Sequence, residues 1–237
     1  RISEMTSAGG NIWQKKGISI QPNLMYLNKT VGTPQISIAA CTSEGDWYWD
    51  SGTDVLSIYT ENGDPSGDVE LGQRMKLVDL NSKEYITFSN LIIQHSNEPN
   101  GILTGSRWKG GIYGGAGGAN HFTMEGCTVQ KCGYLGMWIK NATHLTFNNN
   151  LFLRNGESQN DFHSIYLVSS EIRGMSNIIF TNNIVSNAGA TGLLISGNKK
   201  IHYIKNVVIS GNTFNNNTDA GLYLQRTDSA KVYNNTF

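Results

Sequence analysis

Between Asn155 and Ser170 the chain reads NGESQNDFHSIYLVSS. Two acids, Glu157 and Asp161, stand close to His163, and Tyr166 follows. Paired carboxylates act as acid and base in glycosidic cleavage when they lie about 5–9 Å apart. Glu157, Asp161, Glu171 and Asp219 are the acids available for such a pair. The same oxygens, with neighbouring amides, could instead ligate Ca2+, although no calcium-loop motif accompanies them. Histidine is the most frequent general base, and His95, His121, His144 and His202 compete with His163 for that role. His121 and His144 open equivalent segments, so a stacked structural role is expected for them. Only His163 sits in an interruption beside an outward aromatic column. Its value depends on the elements that hold it.

Composition narrows those elements. Eighteen basic and eighteen acidic residues cancel within 237 residues. No basic stripe marks a nucleic-acid partner. No apolar run reaches the roughly 18–20 residues of a membrane span. Three cysteines, Cys41, Cys127 and Cys132, are too few for a disulfide framework and read as buried thiols. Glycine and asparagine each occur 27 times. Both are poor helix formers, and both favour short strands joined by tight turns.

Repeats then set the architecture. The segments HFTMEGCTVQKCG, HLTFNNNLFLRNG, NIIFTNNIVSNAG, NVVISGNTFNNN and KVYNNTF align, with YITFSNLIIQHS as an earlier copy. Phe88, Met124, Phe147, Phe180, Ile209 and Val232 form one column. Ile93, Val129, Phe152, Val185, Phe214 and Phe237 form a second. A further strand, GMWI, SIYL, GLLI or GLYL, follows in most copies. Alternation turns Met137, Ile165, Leu193 and Leu222 inward, and Trp138, Tyr166, Leu194 and Tyr223 outward. Between the first two strands stands Asn150, Asn183, Asn212 or Asn235, with Leu91 and Cys127 in the outlying copies. Asparagine tolerates the left-handed backbone a corner needs, and stacked asparagines can bond as a ladder. Cys127 to Asn150 and Asn212 to Asn235 are each 23 residues. The expected fold is all-β: a right-handed parallel β-helix with three short strands per coil. It spans residues 76–237 and follows a β-rich segment, 1–75, packed on it or continuous with it. Both ends look cut, so a fragment with further domains beyond it is expected.

Within residues 1–75, WYWD, SGTD and VLSIYT read as a hairpin. The stretch DWYWDSGTDVLSIYTENGDPSGDVE, followed by YITFSNLIIQHS and the coils, resembles secreted right-handed β-helix proteins of the pectate-lyase-like superfamily. The resemblance covers roughly Trp13 to Phe237. It implies a secreted or surface protein that handles polysaccharide as a lyase, uronate epimerase or glycoside hydrolase. The group also contains non-catalytic surface modules, and an adhesin, spike or surface-layer segment is the alternative. Asp161-Phe162-His163 is similar to the Asp-Pro-His element of alginate epimerases, with Phe162 in place of the proline. That likeness implies His163 as base, Asp161 as its orienter, Tyr166 as proton donor, and Lys140 or Arg173 as carboxylate partner.

Insertions in a solenoid tend to map to one functional face. From the ladder residue to the third strand is nine residues in three coils, but fourteen from Asn150 to Ser164. The extra five fall beside His163. Other inserts carry Glu171 and Arg173, then Lys199, Lys200 and His202, and around Gly110 either SRWKGGIYGGAGGAN or, if GGIY is itself a strand, NEPNGILTGSRWK. Trp138, Tyr223 and Tyr113, with Glu157 and Glu171, are the expected substrate-binding residues. The outward aromatics either line an extended glycan or lie under a covering loop.

Overall fold

The computed structural model describes residues 1–22, 24–72, 77–80, 82–96, 110–114 (backbone only), 118–156, 162–170, 174–197 and 203–237. The chain forms two compact units, one built on Arg1–Gln73 and the other on Arg74–Ser96 and Ile102–Phe237.

In the second unit each full coil gives one strand to each of three parallel sheets. The first sheet stacks Thr87–Ser89, Phe122–Glu125, Thr143–Asn148, Met175–Thr181, Ile204–Ser210 and Thr227–Tyr233. The second stacks Ile92–Gln94, Thr128–Gln130, Leu151–Leu153, Ile184–Ser186 and Thr213–Asn215. The third runs Val78–Asp79, Gly110–Gly114, Leu135–Lys140, Ile165–Ser169, Leu193–Gly197 and Leu222–Gln225. Gly110–Gly114 is therefore a strand of the third sheet, which resolves the two registers the sequence allowed. This is a parallel β-helix.

The expected columns are the observed ones. Phe88 pairs with Met124, then Phe147, Phe180, Ile209 and Val232 in successive coils. Ile93, Val129, Phe152, Val185 and Phe214 follow the same rule, and Phe237 stacks on Phe214 at 5.2 Å. Met137, Ile165, Leu193 and Leu222 complete the inward set. No single coil can enclose these side chains, so stacking is what removes them from water.

The asparagine ladder has a specific geometry. The backbone N–H of Cys127 donates to Asn150 Oδ1 (2.9 Å), that of Asn150 to Asn183 Oδ1 (2.8 Å), that of Asn183 to Asn212 Oδ1 (2.8 Å) and that of Asn212 to Asn235 Oδ1 (2.9 Å). Each Nδ2 also donates to a carbonyl of the preceding coil, as Asn183 does to Phe147 O at 3.0 Å. Cys127 holds the ladder place with sulfur, accepting from the Leu91 N–H at 3.5 Å. The left-handed corner falls one residue earlier than expected, at Asn149, Asn182 and Asn234 (φ 56, 55 and 53), with Gly126 and Gly211 in the equivalent places. The ladder residue itself must direct its amide along the stack, so its predecessor makes the turn.

A second left-handed column passes through Tyr85, His121, His144, Asn177 and Asn206. Tyr85 stacks on His121 at 4.5 Å, and His121 on His144 at 4.4 Å. Asn177 Nδ2 then meets His144 Nε2 at 3.1 Å. These histidines bond along the axis, in keeping with a structural role.

The first unit is also all-β. Asp46–Asp50 and Val55–Tyr59 form the expected hairpin within a five-stranded sheet that includes Thr6–Gly9, Ile12–Lys16 and Thr33–Pro34. A three-stranded sheet, Thr30–Val31, Met25–Leu27 and Val69–Leu71, stands beside it. Its core gathers Met25, Trp47, Leu56, Ile58 and Val69. Cys41, Cys127 and Cys132 are all buried, and none is in a disulfide. Burial, and then the charge of Asp46, pushes the Cys41 thiol up to about 11.

Candidate functional site

The interruption near His163 is built from its neck. Asn155 keeps the coil register: the Cys132 N–H donates to its Oδ1 at 3.1 Å, and its Nδ2 donates to Val129 O at 3.0 Å. The same Nδ2 reaches Ser164 Oγ at 2.9 Å, on the far side of the insertion. Gly156 has φ +81, and a Cβ there would run into the Phe162 carbonyl. The chain therefore leaves at Gly156 and returns at Phe162, and the insertion is residues 157–161. Phe162 returns beside Tyr134, with ring centroids 3.5 Å apart. His163 follows directly.

His163 is held by the next coil. The Thr191 backbone N–H donates to His163 Nδ1 at 3.3 Å, and the Thr191 hydroxyl donates to Asp219 Oδ2 at 3.0 Å. With Nδ1 accepting, the neutral ring carries its proton on Nε2. Burial lowers the His163 pKa below its ordinary value, and the Asp219 charge offsets part of that. The ring lies edge-on to Tyr166, centroids 5.7 Å apart. Burial also pushes the Tyr166 phenol above its ordinary pKa. A hydroxyl proton from Ser196 would pull it back, but Ser196 gives that proton to Gln225 Oε1 at 2.5 Å. Tyr166 therefore stays protonated.

The outward column has the expected register: Tyr113, Trp138, Tyr166, Leu194 and Tyr223 lie in line. Its exposure does not fit an open ladder. Trp138 is only 8% exposed and joins a cluster with Tyr134, Leu135 and Val168, against which Phe162 and Tyr166 pack. The return of Phe162 from the neck brings that apolar cover. Leu194 is also 8% exposed, whereas Tyr223 is 48% exposed. The open part of the column is thus Tyr223, with half-buried Tyr166 two strand spacings away. Lys140 shares the outer face but lies opposite Val168, and among the described residues no hydrogen bond or ion pair joins it to His163 or Tyr166.

Glu157, Asp161, Glu171, Arg173, Lys199, Lys200 and His202 lie outside the described residues, as does the side chain of Tyr113. No group of three or more His, Cys, Asp or Glu gathers as metal ligands among the described residues. No described helix is long and apolar enough to cross a membrane. Thr191, Ser196 and Gln225 were not singled out from sequence, although they continue the columns of His163 and of the third strands. Extending those columns by one coil is the signal that finds them.

The family model for the right-handed β-helix region matches residues 71–237. This chain belongs to the right-handed β-helix family. No curated protein and no solved structure matches it. Within the β-helix the third sheet is the one that carries the interruption at 157–161. His163 and Tyr166 stand at the start of one strand of that sheet, and Asp219 and Tyr223 at the equivalent place two coils on.

Proposed function

We propose that this β-helix is an extracellular polysaccharide-handling protein and that glycan binds on the outer face of the third sheet. The observation that carries the reading is the convergence of His163, Tyr166 and Asp219 beside exposed Tyr223, at the neck of a coil lengthened between its second and third strands. Tyr166 and Tyr223 stand about 9.6 Å apart along the axis, two spacings of about 4.8 Å. Tyr223 offers a ring face, His163 Nε2 a donor, and Asp219 an acceptor. Sugar hydroxyls can meet all three. The hairpin and coil motifs support membership in the pectate-lyase-like group, and a secreted or surface location goes with it.

The geometry favours retention of glycan over its cleavage. A general base needs a free lone pair within reach of the proton it removes. The His163 lone pair is taken by the Thr191 N–H, and burial keeps the Tyr166 phenol protonated. His163 and Tyr166 therefore serve the site as hydrogen-bonding groups.

The test is affinity electrophoresis of the chain through gels containing polyuronates or neutral polysaccharides. Ultraviolet absorbance of unsaturated product is followed in parallel. Retardation without product, weakened several-fold by Tyr223→Ala, is expected. Unsaturated product that disappears in His163→Ala would convert the assignment to a lyase. Absence of retardation by every polymer would overturn the glycan reading.

A further inference from the structure

The first unit carries a groove of about 370 Å³ on the outer face of its five-stranded sheet. That size falls in the range of small-molecule sites, about 300–1,000 Å³. Strand register explains its floor. Lys16, Val55 and Asp50 sit side by side on three neighbouring strands, so the backbones of Lys16 and Asp50 are about 9.6 Å apart with Val55 between them, and among the described residues no ion pair joins the two. One row along the same face, Gln14 faces Ser57 and donates its Nε2 to Ser57 Oγ at 3.0 Å. Ser57 is buried, and Ile38, 41% exposed, lines the groove from the short 3-10 turn Ile38–Ala40.

The polar groups here form a mixed set. Asp50 accepts from the Gly52 N–H on one oxygen and the Thr53 hydroxyl on the other, both at 2.8 Å. Those bonds hold its carboxyl below the usual range, and each oxygen keeps a further lone pair. The bond from Gln14 leaves Ser57 its own hydroxyl proton to donate. Lys16 supplies an ammonium. An anion would be repelled by Asp50 and a cation by Lys16. A neutral ligand whose groups both donate and accept satisfies the two together, and hydroxyls do both. Val55 and Ile38 offer apolar surface for the C–H face of a ring.

We propose that this groove is a second glycan site, selective for a neutral, hydroxyl-rich mono- or disaccharide. It uses no residue of the third-sheet site and stands or falls separately from it.

The test is a 1H–15N correlation titration of the full chain with cellobiose, maltose, mannobiose and lactose. Digalacturonic acid and glucosamine serve as the charged comparisons. At least one neutral sugar is expected to give saturable shifts at the Gln14, Val55 and Ser57 amides. Lys16→Met and Asp50→Asn should each weaken that binding about fivefold or more, since either removes one half of the donor–acceptor pair. Asp50→Asn keeps an oxygen for the Gly52 N–H, so the turn survives and the loss reports on the ligand. The proposal is overturned if no neutral sugar shifts these amides, if the charged sugars shift them at least as strongly, or if both variants bind as the parent does. Shifts confined to the third sheet would also overturn it, while leaving the first site standing.

Discussion

His163 is a residue whose chemistry is decided by one backbone N–H. Burial opposes a charge on the ring, and because the Thr191 N–H fills Nδ1, a second proton would also set one N–H against another. The folded pKa is lowered, so the folded state binds fewer protons than the unfolded chain. Its contribution to stability is therefore complete above the unfolded value of 6.5 and is lost as pH falls through the window below it. Thermal unfolding followed from pH 7.5 to 5 should show this loss, and His163→Gln should flatten that part of the slope. Asp219→Asn removes the attraction that partly restores the histidine's basicity. Its expected effect is a further downward shift of the His163 titration, read from the ring 15N signals. An unchanged titration would mean that Asp219 does not act on this ring.

At the scale of elements, two devices hold the coils: the ladder and the neck. Asn183 accepts the buried Asn150 N–H and donates to Phe147 O. Asn183→Ala strands both in the interior, at a cost on the order of 2–3 kcal/mol. Asn235 is only half-buried at the last rung, and water can replace its amide, so Asn235→Ala should cost under about 1 kcal/mol. Equal effects in denaturant titrations would contradict a burial-driven ladder. The neck makes a different prediction. Gly156→Ala combines a left-handed φ with a Cβ that has no room against Phe162. It should displace His163 and lower the midpoint of unfolding. Deleting residues 157–161 restores the nine-residue interval of three other coils. That variant should keep its far-ultraviolet circular dichroism and its melting temperature close to the parent's while losing glycan retardation.

For the whole molecule, the two units have separate interiors. The solenoid core runs from Leu80 to Phe214, and the core of the first unit from Ile2 to Val69, with no residue in common. Cooperative unfolding follows shared burial, so calorimetry should resolve two transitions. Phe152→Ala should lower only one of them, by the 3–5 kcal/mol typical of a buried Phe. Leu56→Ala should lower only the other. A single transition shifted equally by both would show that the units unfold as one.

The sequence by itself determined the coil. Periodic placement of Phe147, Phe180 and Phe152, with asparagine at the ladder place of most copies, is a local pattern repeated, and stacking in register is the arrangement that buries these columns. It also marked the 157–161 interruption, since an insertion breaks a count. Only the tertiary structure decided what surrounds it. Whether Trp138 is open depends on Phe162 returning beside Tyr134, a contact between coils that no spacing encodes. Whether His163 is a base or a donor depends on which nitrogen meets Thr191, 28 residues away. The groove around Gln14 and Asp50 arises from strands distant in sequence and adjacent in the sheet. Columns can be read along a chain because stacking repeats. Exposure and protonation cannot, because they are set by neighbours that only folding brings together.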